Sequence, residues 1–159
     1  LINSFSRFIP NGKENRSVTI ALNKMMKAIN TPNELSMLRK FHIKAYKPND
    51  INLESTESYL LPISDSGKLR LKNDLKLLMN SDSLPTGLNT DAKVLVINSE
   101  KDYILANQTK EKLAEDLTSY LEVKPAIINL PEEGHSISKI NSIKTIKHWL
   151  EFDHAKNMA

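Results

Sequence analysis

Val94-Leu95-Val96-Ile97-Asn98-Ser99-Glu100-Lys101-Asp102 begins as an apolar run of strand length and ends as a polar loop. Lys93 to Ile97 shows no polar alternation, the pattern of a strand buried on both faces of a parallel sheet. Pro125 to Leu130 is a second such run, and between the two Leu113, Leu117, Tyr120 and Leu121 mark one face of a helix. Parallel strands need a crossover of this kind, so the stretch reads as a βαβ unit and the fold class as α/β.

Both strands of such a unit point the same way, and the loops leaving their C-terminal ends open at one edge of the sheet, where α/β proteins carry their sites. Asp102 lies in the first loop and His135 in the second, within Leu130-Pro131-Glu132-Glu133-Gly134-His135-Ser136. A carboxylate that accepts from one imidazole nitrogen fixes the tautomer and stabilises the imidazolium. The other nitrogen is then available to take a proton from a nucleophile. A Gly-His after a strand is, in isolation, more often a turn followed by a surface histidine; Asp102 in the matching loop reverses that preference. His42 falls on an apolar helix stripe and is expected to pack, whereas His148 and His154 are expected to be solvated. None has metal-ligand spacing, so no metal or cofactor is expected.

Upstream the sequence is helical. Val18, Ala21, Leu22, Met25, Met26 and Ile29 stripe one face of Arg16 to Asn30, with Ser17 as the expected cap. Thr31-Pro32-Asn33-Glu34 predicts the start of a second helix through a capping box, and Leu35, Leu38, Phe41, His42 and Ala45 continue its stripe until Pro48. Residues 49–66 read as a loop or a short helix. Leu71, Leu75, Leu78 and Met79 mark a third helix from about Gly67 to Asn80, and the Ser/Asp/Pro/Gly-rich stretch 81–92 is the best internal boundary. A last helix, Ser138 to Phe152, aligns Ile140, Ile143, Ile146, Trp149 and Leu150. The methionines Met25, Met26, Met37 and Met79 are expected mainly to pack, with lining an acyl pocket as the alternative.

With 40% hydrophobic and 26% charged residues, the 159-residue chain has the composition of a globular domain with one core. No cysteine is present, which removes disulfides and thiolate chemistry and makes the cytoplasm the expected compartment. The apolar runs are far too short to span a bilayer and no signal-peptide pattern opens the chain, so no membrane association is expected. The net charge of +3 is uneven: residues 1–90 carry 13 Lys/Arg against 8 Asp/Glu, and residues 91–159 carry 9 against 11. The basic residues are scattered over polar helix positions and not packed into runs, which argues for solvated faces and against nucleic acid.

Val94 to Ile104 resembles the strand and acid loop of α/β-hydrolases, a hydrophobic run followed by Gly, two residues, Asp and an apolar residue. Gly134-His135 resembles their histidine loop, and Asp before His is that family's order, with Ser upstream of both. Ser99 departs from the pattern, standing where the family commonly has Gly. Leu1-Ile2-Asn3-Ser4-Phe5-Ser6-Arg7-Phe8, Met25-Met26, Leu38-Arg39-Lys40-Phe41 and the helix from Leu69-Arg70-Leu71 to Leu78 resemble, more narrowly, the strand end and lid of pimeloyl-ACP methyl ester esterases of biotin synthesis. The resemblance implies the C-terminal portion of the α/β-hydrolase fold: the end of a core strand and its loop in residues 1–9, a helical lid in 10–90, and the last strands and helices of the core in 91–159.

It further implies a carboxylic-ester hydrolase in which Asp102 and His135 are catalytic, acting on a small acyl or methyl ester carried, in the narrower family, on acyl carrier protein. The only glycines are Gly12, Gly67, Gly87 and Gly134, so the chain holds no Gly-x-Ser-x-Gly elbow. The nucleophile and oxyanion hole are therefore expected upstream of Leu1, the chain is expected to be part of a longer reading frame, and by itself it should be inactive. A lipase, thioesterase or dehalogenase on the same fold is an alternative. So is a non-catalytic module that binds an acidic partner through the basic half.

Overall fold

The computed structural model describes residues 1–49 and 63–153. Most of the predicted 49–66 loop, and His154, lie outside them. Among the described residues a short 3-10 helix, Gly12–Glu14, leads into α-helices α1 (Asn15–Ala28), α2 (Glu34–Tyr46) and α3 (Asp65–Asn80). Strand β1 (Leu95–Ser99), helix α4 (Asn107–Tyr120), strand β2 (Ala126–Leu130) and helix α5 (Ile140–His148) follow, and a π-helical turn, Trp149–Asp153, ends the described chain.

The predicted βαβ unit is present. β1 and β2 pair in parallel, with Leu95 opposite Ala126 and Ser99 opposite Leu130. On the other side of β1, Ile2 pairs in parallel with Ile97, through bonds from the Ile97 amide to the Leu1 carbonyl (2.8 Å) and from the Asn3 amide to the Ile97 carbonyl (2.9 Å). β1 is thus central, as its unbroken apolar run requires. Alternate side chains leave a strand on opposite faces: Val96 packs with Leu113, Leu117 and Leu121 of the α4 side, while Leu95 and Ile97 pack with Leu130, Ile146 and Trp149 of the α5 side. Each fully buried Leu contributes roughly 1.5–3 kcal/mol relative to exposure. β2 differs from expectation, because Asn129 and Ile127 are exposed and only its α5 face is covered.

The helical part has its own core, Leu22, Ile29 and Leu75, against which Met25, Met26, Met37 and Met79 pack together with Phe8 and Ile9. The methionines therefore have the packing role expected first. Several boundaries move. Ser17 is not a cap but lies inside α1, its hydroxyl donating to the Glu14 carbonyl (2.8 Å). α2 begins at Glu34 with Asn33, not Thr31, at its N-cap and no side-chain cap bond, and the buried Glu34 carboxylate accepts from the Asn30 amide (2.8 Å) and not from that of Thr31. α3 begins earlier than predicted, capped by Ser64, whose hydroxyl accepts from the Gly67 amide (3.2 Å). α5 begins at Ile140, not Ser138, and of its predicted stripe Ile146 and Trp149 pack while Ile140, Ile143 and Leu150 are exposed. Among the described residues no helix is long and apolar enough to cross a membrane.

Candidate active site

The two loops at the C-terminal ends of β1 and β2 are joined by backbone bonds that continue the ladder. The Glu100 amide donates to the Leu130 carbonyl (3.0 Å), and the Lys101 amide donates to the Glu133 carbonyl (3.1 Å). Lys101 and Glu132 add an ion pair at 2.8 Å, exposed and so worth little by itself. This pairing brings Asp102 and His135 together: His135 Nδ1 lies 2.9 Å from Asp102 Oδ2. The carboxylate side chain is closed to solvent, whereas the imidazole keeps 28% of its side-chain exposure.

The other carboxylate oxygen, Oδ1, accepts from the amides of Ile104 (2.7 Å) and Leu105 (3.1 Å), an Asx turn in which the loop itself orients the side chain. Burial alone would push the Asp102 carboxyl up. The hydrogen bond with His135 and the two amides outweigh it, and the group lies below its ordinary value. With its carboxyl held low, Asp102 is an acceptor toward Nδ1, an arrangement that leaves Nε2 outside this bond and able to exchange a proton.

Four further side chains support this pair, and the sequence did not single out three of them. Ser99, noted above only as a departure from Gly, is fully buried at the end of β1. Its carbonyl accepts from the buried Lys110 Nζ (2.7 Å), whose pKa is lowered chiefly by that burial, against the opposing pull of Asp102 and Glu100. Asn3 is buried and spans the strand end and the histidine loop. Glu133, beside Gly134-His135, is buried with its carboxylate accepting from the amides of Ser138 (3.1 Å) and Lys139 (2.9 Å). Burial pushes its carboxyl up, but these bonds and one from Ser142 hold it below the ordinary range. A Glu next to a predicted site loop is a signal that could have found Glu133. Lys110 and Asn3 give none, because a helix lysine and a strand-end asparagine are ordinarily solvated.

The helical part also touches the site. The Ser136 amide donates to the Ala45 carbonyl (2.9 Å) and Asn49 Nδ2 to Ser138 Oγ (2.8 Å), so the histidine loop rests on the C-terminal end of α2. His42 is half-buried, edge-on to Phe41 with ring centroids 6.1 Å apart, and takes no part in the pair. His148 is exposed. Among the described residues no group of His, Asp or Glu is placed to hold a metal ion.

No protein-family profile matches this chain, and no curated protein matches it. Among solved structures it is similar to MGS-M2, an alpha/beta hydrolase enzyme from a Medee basin deep-sea metagenome library. The match has a TM-score of 0.69 and 19% identity, and it covers 94% of this chain and 52% of that one. The chain thus has the fold of the C-terminal portion of an α/β-hydrolase and spans about half the length of that structure.

Proposed function

We propose that the chain forms the acid-and-base part of a carboxylic-ester hydrolase. The observation that carries this reading is the 2.9 Å contact between a buried Asp102 carboxylate and a partly exposed His135, on loops at one edge of a parallel sheet. The likeness to a hydrolase over 94% of the chain supports it. The nucleophile belongs to a part of the fold these residues do not contain, in keeping with the missing Gly-x-Ser-x-Gly and the 52% coverage.

A serine hydroxyl attacks the ester carbonyl while His135 Nε2 accepts its proton, and Asp102 stabilises the imidazolium that results. His135 then gives the proton to the departing alkoxide, releasing the alcohol. Water, activated the same way, frees the acid and restores the serine. The helices of residues 10–90 cap the pocket, and the substrate is a small acyl or methyl ester. The resemblance of the helical part extends this to the methyl ester of pimeloyl-ACP. Lys13, Arg16, Lys24, Lys27, Arg39, Lys40, Lys44 and Lys47 against Glu14 and Glu34 supply a positive balance that suits an acidic carrier protein.

The test is ester hydrolysis by the full-length protein carrying this chain, with short methyl esters and acyl-carrier-bound esters as substrates. His135→Ala should abolish nearly all turnover, and the chain alone should show none. Wild-type hydrolysis that survives His135→Ala would sink the reading. Binding of an acidic partner without turnover, indifferent to His135, would favour a non-catalytic module.

A further inference from the structure

The residue that joins the two halves of the candidate site is Asn3. It is 6% exposed and its backbone is left-handed, with φ of 41°, a conformation asparagine tolerates better than most residues. Its own amide is held by the Ile97 carbonyl at 2.9 Å. From that fixed point the side chain reaches both loops. Oδ1 accepts from the Ser99 amide at 2.8 Å, and Nδ2 donates to Ser99 Oγ at 3.0 Å, to the Gly134 carbonyl at 3.3 Å and to the His135 carbonyl at 2.7 Å.

The chemistry of the surroundings allows one kind of side chain. Toward β1 an acceptor is required, because a backbone N–H faces it. Toward the histidine loop a donor is required, because two backbone carbonyls converge there. A carboxylate would satisfy Ser99 but face the carbonyl oxygens of Gly134 and His135 with negative charge, and an aliphatic group would leave buried polar atoms unpaired. The hydrogen bonds of the Asn3 side chain go to Ser99 and to the carbonyls of the histidine loop, not to the imidazole ring. It acts on the backbone that carries the ring, at the residue whose Nδ1 must meet Asp102 three residues beyond Ser99.

We infer that Asn3 is a positioning residue, which ties the His135 backbone to the end of β1 and thereby sets the Asp102–His135 hydrogen bond. The inference rests on the proposed ester hydrolysis for its effect on turnover, but its effect on the hydrogen bond is independent of any substrate.

The experiment compares Asn3→Ala and Asn3→Asp with Ser6→Ala in the full-length protein. Ser6 is equally buried in the same segment, but its hydroxyl bonds to Asp116 (2.6 Å), away from the histidine loop, so it controls for lost stability alone. Two readouts are taken: the downfield proton NMR resonance of His135 Nδ1–H, and kcat and KM for ester hydrolysis. Both Asn3 variants should lose or shift the resonance and lower kcat by about 10- to 100-fold, the cost of a displacement near 1 Å, with KM within about two-fold. Ser6→Ala should do neither. An unshifted resonance with wild-type kcat in folded Asn3→Ala would overturn the inference, as would an equal fall in kcat in Ser6→Ala at equal loss of melting temperature. Should Asn3→Asp not fold, Asn3→Ala decides, because it removes the bonds without adding repulsion. A wild-type protein that hydrolyses no ester would defeat the functional reading, while the resonance would still decide the role of Asn3.

Discussion

Gly134 sits so close to the end of α2 that a Cβ on it would overlap the Lys47 carbonyl oxygen. The requirement is for space and not for an unusual backbone conformation, since Gly134 is not among the glycines with positive φ. A backbone oxygen cannot move aside as the tip of a side chain can. The contact, with the bond from the Ser136 amide to the Ala45 carbonyl, makes the position of the histidine loop depend on the helical part.

Gly134→Ala should therefore push the histidine loop off α2. Overpacking of this kind costs roughly 1–3 kcal/mol. Thermal denaturation should show a lowered melting temperature, and hydrolysis by the full-length protein should fall more than stability alone explains. A variant that melts with the wild type would show that the two segments do not meet in this way.

Asp102→Asn tests the carboxylate without changing its volume. An amide oxygen can still accept from Ile104 and Leu105, so the loop should keep its shape. The ionised partner of His135 is lost, and kcat of the full-length protein should fall on the order of 10³- to 10⁴-fold with little change in KM. A fall below ten-fold would mean that Asp102 does not orient the base.

The same carboxyl predicts an acid-dependent term in stability. Its folded pKa lies below the ordinary 3.8. The stabilisation it contributes is present above that value and is lost as pH falls through the lowered folded pKa. Melting temperatures of the wild type and Asp102→Asn should differ most near neutral pH and converge below about pH 3.8. A gap that stays constant into strong acid would count against an ionised, hydrogen-bonded Asp102.

Glu133→Gln should loosen the approach to α5. The carboxylate accepts from two amides, Ser138 and Lys139, and an amide side chain offers one oxygen and no charge to the helix start. The loss should be about 1–3 kcal/mol, read from denaturant midpoints at unchanged m-value. Equal midpoints would show the carboxylate to be dispensable there.

The strands, the crossover helix and the proximity of Asp102 to His135 were legible because they depend on patterns local to the chain. An apolar run without alternation has to be buried on both faces, and parallel strands carry their C-terminal loops to one edge. The caps were less legible: Ser17 has the chemistry of a cap but lies inside α1, and the Glu34 carboxylate serves Asn30 where Thr31 was expected. Cap geometry turns on a single residue of register, which periodicity does not resolve.

Residue order alone determined the α/β class, the pairing of loops that brings Asp102 to His135, and the lack of a Gly-x-Ser-x-Gly motif in this chain. Tertiary structure alone decided that Asn3 and Ser99 bond at the end of β1, that Lys110 turns inward to a carbonyl, and that Gly134 rests on Lys47. The reason is physical. Hydrophobic pattern reports which face of an element is covered, whereas the partner of a buried polar group is set by whichever distant backbone atom the packing brings within about 3 Å.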